Sequence, residues 1–147
     1  MKDHTHGMHE ETRRYRVGVR GNFTAIHALV GDVPEHEKTP HEHEYLLEWT
    51  FTLQSLDERG FSLDIALLER LRDALIHEIR GVNLNGLPYF SGVNSSLENL
   101  CGFFFQRLSQ MLREELGDPD LKRIGEMEIR IWENDQAWAG LAGSVTP

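Results

Sequence analysis

Cysteine is nearly missing from this chain: its 147 residues include one, Cys101. A lone thiol excludes an internal disulfide framework. No apolar run approaches the ~20 residues of a membrane span, so no membrane partner is expected. Basic residues are scarce. Fifteen Lys and Arg against 24 Asp and Glu leave a net charge of −9, which argues against a protein that neutralises nucleic-acid phosphates. The opening residues, Met1 to Glu11, contain no apolar signal core. With cysteine so rare, a cytoplasmic location is expected.

What is present reads as globular: 39% hydrophobic and 27% charged residues, in a length that suits one domain with a real core. Histidine is abundant, with eight copies. Residues 1–13 carry His4, His6 and His9 but no apolar anchors, and read as a mobile tail ahead of a single domain over 14–147.

The elements follow from period. Tyr15, Val17 and Val19 alternate with Arg14, Arg16, Gly18 and Arg20, as in a half-buried strand. Gly21–Asn22 suggests a bulge, after which Phe23, Ala25 and His27 continue the strand. A loop runs from about Val30 to Pro40. From His41 to Leu53, the residues His41, His43, Tyr45, Leu47, Trp49, Phe51 and Leu53 share one parity, so they share one face. Leu68, Leu71, Leu75 and Ile79 recur at helical spacing in a helix expected over Phe61 to Ile79, capped by Ser62 or Asp64. Gly81 to Asn94 reads as irregular. A second helix begins near Ser95, where Ser95-Ser-Leu-Glu98 has the form of a capping box. It carries a buried stripe from Leu97 to Leu112 and ends at Gly117 and Pro119. Met127, Ile129, Ile131 and Glu133 form a third strand, and Ala137 to Leu141 a short fourth. Strands sharing one apolar face, covered by two helices, define an α+β two-layer unit, mostly antiparallel. Its unpaired sheet edges invite closure by other subunits.

Three polar residues occupy positions where apolar ones are expected: His41, His43 and Glu133. Imidazoles at i and i+2 of a strand stand about 6.6 Å apart at their Cα atoms and can converge on one ion. His27, at the end of the neighbouring strand and of matching parity, is the third candidate. Three neutral imidazoles with an open position describe a catalytic zinc site. The plainer alternative is a pair of rim histidines bonded to water and backbone. His36 and His77 read as surface or helix-end residues. Glu98 has a local role as the partner of Ser95 in the capping box. Glu133 has none; a carboxylate on an apolar face pairs with a cation or is kept for N–H donors. Cys101, on the buried stripe, reads as packing.

In order along the chain stand Phe23-Thr-Ala-Ile-His27, His41-Glu-His43-Glu-Tyr45, Gly60-Phe-Ser-Leu-Asp64, Leu84-Asn85, Asn94-Ser-Ser-Leu-Glu98-Asn-Leu100 and Trp132-Glu133. Over Tyr15 to Gly143 this resembles the 6-pyruvoyl tetrahydropterin synthase family, which includes the 6-carboxytetrahydropterin synthases of queuosine biosynthesis. The resemblance implies a T-fold: an antiparallel four-stranded sheet with two helices on one face, assembled through strand edges into a barrel, usually as a homohexamer with active sites at subunit interfaces. It implies that His27, His41 and His43 hold zinc. It also implies that Glu98 and Glu133 bind a pterin such as dihydroneopterin triphosphate.

The departures bear on the chemistry. Glu42 stands between the two histidines, where the family usually has glycine. Its cysteine, four residues before that pair, is here Glu37, and one branch places a glutamate three residues before it. The family's Asp-His pair falls at Arg80 and Gly81, neither of which can do acid–base work. His77, one turn earlier, is a candidate substitute. Glu37 and His77 are therefore the catalytic candidates for a lyase of altered chemistry. The rival reading is a non-catalytic pterin- or purine-binding protein that has lost synthase activity. A third, an oligomer with only a structural role, leaves Glu133 unexplained.

Overall fold

A computed structural model describes residues 12–145; the tail read from residues 1–13 lies almost wholly outside them. Strands β1 (Tyr15–His27), β2 (His41–Leu53), β3 (Ile124–Trp132) and β4 (Trp138–Gly143) pair in sequence order into one antiparallel sheet. Helices α1 (Ile65–Ile79) and α2 (Leu97–Glu115) cover one face, α1 over β1 and α2 over β3 and β4. A six-residue helix, α3 (Asp118–Arg123), leads into β3.

Parity builds the core. Val19, Phe23 and Ala25 of β1, Tyr45 to Leu53 of β2 at alternate positions, and Met127, Ile129 and Ile131 of β3 are buried on the helix side. Leu68, Leu71, Leu75 and Ile79 of α1 and Leu100, Phe104, Leu108 and Leu112 of α2 close over them. Burying such side chains stabilises by about 1.5–3 kcal/mol each. The opposite face is polar. There Glu48 sits across from Arg20 on one side and Arg130 on the other, a favourable cross-strand arrangement of opposite charges. Among the described residues no helix is long and apolar enough to cross a membrane.

Several boundaries differ from the sequence reading. The expected bulge at Gly21–Asn22 is not there: β1 pairs with β2 without a shift from Tyr15↔Leu53 to His27↔His41. Gly21 serves close approach instead. A Cβ there would lie 2.7 Å from Arg72 Cδ and 2.9 Å from Ile76 Cδ1 of α1. Helix α1 starts at Ile65, not Phe61, because Asp64 caps it by accepting from the amides of Ala66 and Leu67. Gly117 and Pro119 end α2 as expected but also open α3, since proline fits a first helical turn. The fourth strand is Trp138–Gly143, shifted from the expected Ala137–Leu141.

Candidate functional site

Strand register brings the histidines together. His27 lies directly across from His41, and His43 stands two residues further along the same face. The His27 and His41 rings are 4.7 Å apart, centroid to centroid. A small cavity of about 60 Å³ is lined by His27, Leu29, Glu37, His41, His43, Tyr45, Ser96, Leu97 and Glu133. Three candidate ligands, the candidate base and one of the two candidate pterin anchors thus meet in one place.

Hydrogen bonds fix the imidazole rings. The His27 Nδ1–H donates to the Ser95 carbonyl at 2.9 Å, and the His41 Nδ1–H donates to the Thr39 carbonyl at 2.9 Å. Both rings therefore hold their lone pair on Nε2, the arrangement that outer-shell carbonyls impose on metal-binding histidines. Burial holds His27 below the ordinary imidazole range, and the neighbouring His41 and His43 add to this against the opposing pull of the Ser95 carbonyl and Glu37. A neutral ring is the form that binds a metal. His43 is turned differently: its Nε2–H donates to the Glu133 carbonyl at 3.1 Å. Accordingly, no group of three His, Cys, Asp or Glu side chains among the described residues is arranged to hold an ion. The donor chemistry suits zinc, while His43 has its Nε2 engaged by a backbone carbonyl where His27 and His41 have their Nδ1 so engaged.

Tyr45 fills the centre of this cluster. Its hydroxyl donates to His27 Nε2 at 3.4 Å, and its ring packs against His43 with centroids 4.7 Å apart. Burial, reinforced by the charges of Glu133 and Glu37, pushes the phenol above its ordinary pKa. The sequence reading took Tyr45 only as a core residue. Its parity, shared with His41 and His43, was the signal that it joins the site.

The carboxylates need correction. Glu133 is exposed, not buried: β3 ends at Trp132, and Glu133 opens the turn to β4, its amide donating to Ala137 O at 3.0 Å. It lines the histidine cavity and also a larger one of about 430 Å³ that includes Arg20, Asn22, Glu44, Glu48 and Trp132. The capping box at Ser95 and Glu98 does not form. Ser96 is the N-cap, accepting from the Asn99 amide at 3.2 Å, while Ser95 is buried and turned toward His27. Glu98 is left exposed on the first turn of α2, outside the histidine cavity. His77 is exposed on α1 and does not line that cavity either. Arg80 and Gly81 follow the end of α1. Cys101 is fully buried, its thiol donating to the Ala139 carbonyl at 3.3 Å.

A four-stranded antiparallel sheet, helices on one face only and imidazoles gathered at the end of β1 and the start of β2 define a T-fold protein. The model of the 6-pyruvoyl tetrahydropterin synthase family matches residues 16–144, and the chain belongs to that family. Among solved structures, it is similar to 6-pyruvoyl tetrahydropterin synthase from Plasmodium vivax: 15% identity, 90% of this chain and 99% of that one covered, TM-score 0.71. The Caenorhabditis elegans enzyme aligns with 18% identity, 91% and 99% coverage and a TM-score of 0.67. A Plasmodium vivax variant with a catalytic glutamate replaced by alanine also matches, at 14% identity, 90% and 99% coverage and TM-score 0.69. At these identities the likeness to the solved structures is one of fold. No curated protein matches the chain.

Proposed function

We propose that this protein is a pterin-processing lyase of the 6-pyruvoyl or 6-carboxytetrahydropterin synthase type, acting on dihydroneopterin triphosphate or a related pterin. The observation that carries this reading is the meeting of His27, His41, His43, Glu37 and Glu133 around one cavity. In this reading the three imidazoles hold zinc. When bound, zinc would polarise the oxygens of the substrate side chain and ease loss of their protons. Glu37 acts as the base that accepts a side-chain proton. It stands on a short 3₁₀ turn, Glu35–Glu37, whose end is tied to the strand side by the Leu29 N–H donating to Glu37 O at 2.7 Å. The Plasmodium vivax enzyme described with a catalytic glutamate supports a carboxylate in this role.

Glu133 and Glu98 accept hydrogen bonds from the amino and N–H edge of the pterin. A cavity of about 60 Å³ is too small for a bicyclic heterocycle, since ligand pockets span ~300–1,000 Å³. The pocket is therefore completed by a neighbouring copy, in a homohexamer closed through strand edges. His77 serves as a second acid–base group from that neighbour, and Glu98 reaches the pterin across the same interface.

A non-catalytic pterin- or purine-binding protein is the second reading. The observation favouring it is the His43 ring, turned away to Glu133. Incubation of the zinc-loaded protein with dihydroneopterin triphosphate decides between them. The lyase reading expects release of triphosphate or acetaldehyde, and a Glu37→Gln variant slower by about 10²–10⁴-fold, the usual contribution of a positioned base. Pterin binding with neither product would leave the binding-protein reading standing.

A further inference from the structure

The segment after β1, Ala28 to Val30, belongs to no strand, yet its backbone is paired on both residues by asparagine side chains. The Ala28 N–H donates to Asn85 Oδ1 at 2.8 Å, and Asn85 Nδ2 returns a bond to Ala28 O at 3.1 Å. Two residues on, the Val30 N–H donates to Asn94 Oδ1 at 3.2 Å, and Asn94 Nδ2 donates to Val30 O at 3.0 Å. Each carboxamide thus supplies the donor and acceptor that a neighbouring strand would have supplied. The intervening Leu29 N–H is the one that holds Glu37 O.

Both asparagines are themselves anchored. Asn85 takes its place in the Leu84–Gly86 turn, its amide donating to Asn83 Oδ1 at 3.0 Å. The Asn94 carbonyl accepts from Asn99 Nδ2 of α2 at 2.9 Å. They differ in one respect. Asn85 Nδ2 also donates to Ser95 Oγ at 3.3 Å, and that hydroxyl donates to Ala28 O at 3.2 Å. Ser95 is the residue whose carbonyl accepts the His27 Nδ1–H at 2.9 Å, with its Oγ a second acceptor at 3.2 Å. Asn94 shows no such link among these bonds.

We propose that Asn85 is the positioning residue of His27, acting through Ser95, and that Asn85 and Asn94 together clamp the segment that places Glu37. The metal-binding part rests on the zinc reading above. Removing Asn85 strips the Ser95 hydroxyl of a donor, frees the Ala28 N–H and leaves the Ala28 carbonyl to the Ser95 hydroxyl alone. The Ser95 carbonyl then no longer has a fixed bearing on His27. Removing Asn94 loosens Val30 and the Glu37 side while leaving the Ser95 joint intact.

The test compares Asn85→Ala, Asn94→Ala and the parent protein by ¹⁵N NMR of the His27 ring in the metal-free chain, followed by cobalt(II) titration read through its visible spectrum. In the parent, His27 carries its proton on Nδ1. In Asn85→Ala the ring becomes a mixture of tautomers, and in Asn94→Ala it stays as in the parent. Cobalt affinity falls about 10–100-fold for Asn85→Ala, the usual loss when an outer-shell partner is removed, and is unchanged for Asn94→Ala. A parent-like His27 tautomer in Asn85→Ala overturns the inference, as does an equal effect of the two variants. Should Asn85→Ala fail to fold, Asn85→Asp decides by the same ring signal, because it keeps an acceptor for the Ala28 N–H and removes the Nδ2 donor to the Ser95 hydroxyl. A parent that binds no cobalt while its ring responds as stated defeats the zinc reading and leaves the Asn85 role supported by the NMR signal.

Discussion

Cys101 shows how a residue can be chemically silent by position. Burial pushes its thiol up to about 11, an effect the nearby Glu98 reinforces and a backbone hydrogen bond opposes. In the unfolded chain the same thiol ionises near 9. Above that pH the unfolded chain has given up the proton and the folded one has kept it, so folding stability falls with rising pH. The loss begins near pH 9 and levels off near 11. The expected outcome is a declining urea midpoint across that window that is shallower in Cys101→Ala, the buried Tyr45 phenol adding its own decline above its ordinary value of 10. Iodoacetamide at pH 8 should label the thiol only after unfolding, as mass spectrometry would record. Parity and helical spacing made this residue's role legible in the sequence. Strand parity likewise made legible that His27, His41 and His43 share one face, because a strand's period is rigid enough to carry a face from end to end. Glu133 was misplaced for the complementary reason: alternation was extended one residue past the point where β3 gives way to a turn. The orientation of the His43 ring was not legible at all, since it depends on a carbonyl 90 residues away.

At the scale of elements, capping decides what periodicity leaves open. Two consecutive serines each had a polar residue three positions on, Ser95 with Glu98 and Ser96 with Asn99. The sequence grammar matched the first pair, and the fold uses the second. Tertiary structure settles the choice, because Ser95 is recruited by His27 and Asn85. Asp64 had no such competitor, and it was one of the two caps expected for α1. Asp64→Ala removes an acceptor for two amides at the start of that helix. It should lower stability by about 1 kcal/mol, measured by urea denaturation. Ser62→Ala should have no comparable effect, because Ser62 precedes the helix and provides no cap. The bulge expected at Gly21–Asn22 failed on similar grounds: glycine marks either a kink or a close approach, and only the position of α1 tells which.

For the molecule as a whole, the sheet is open. Strands β1 and β4 are its edges, and β4 presents Trp138, 47% exposed, and Leu141, 42% exposed. An edge of this kind invites pairing with another chain. Sedimentation should therefore show a species larger than one chain, and Leu141→Lys should shift it toward the monomer without altering the far-ultraviolet circular dichroism. The two-layer plan was legible from the order of periods alone; the pairing of β2 with β3 was not, because two helices separate them in sequence. Cavity shape was not, since it depends on side chains from five separate segments.

The sheet is also of uneven length. Strand β3 stops opposite Leu46, so residues 41–45 of β2 have β1 as their one strand partner, and the His43 ring's bond to the Glu133 carbonyl crosses the other flank. The stretch bearing two of the imidazoles is thus a cantilever, rooted in the hydrophobic layer at one end and without strand pairing along one flank. Amide exchange should accordingly be faster in residues 41–45 than in residues 47–51 of the same strand, which pair on both sides.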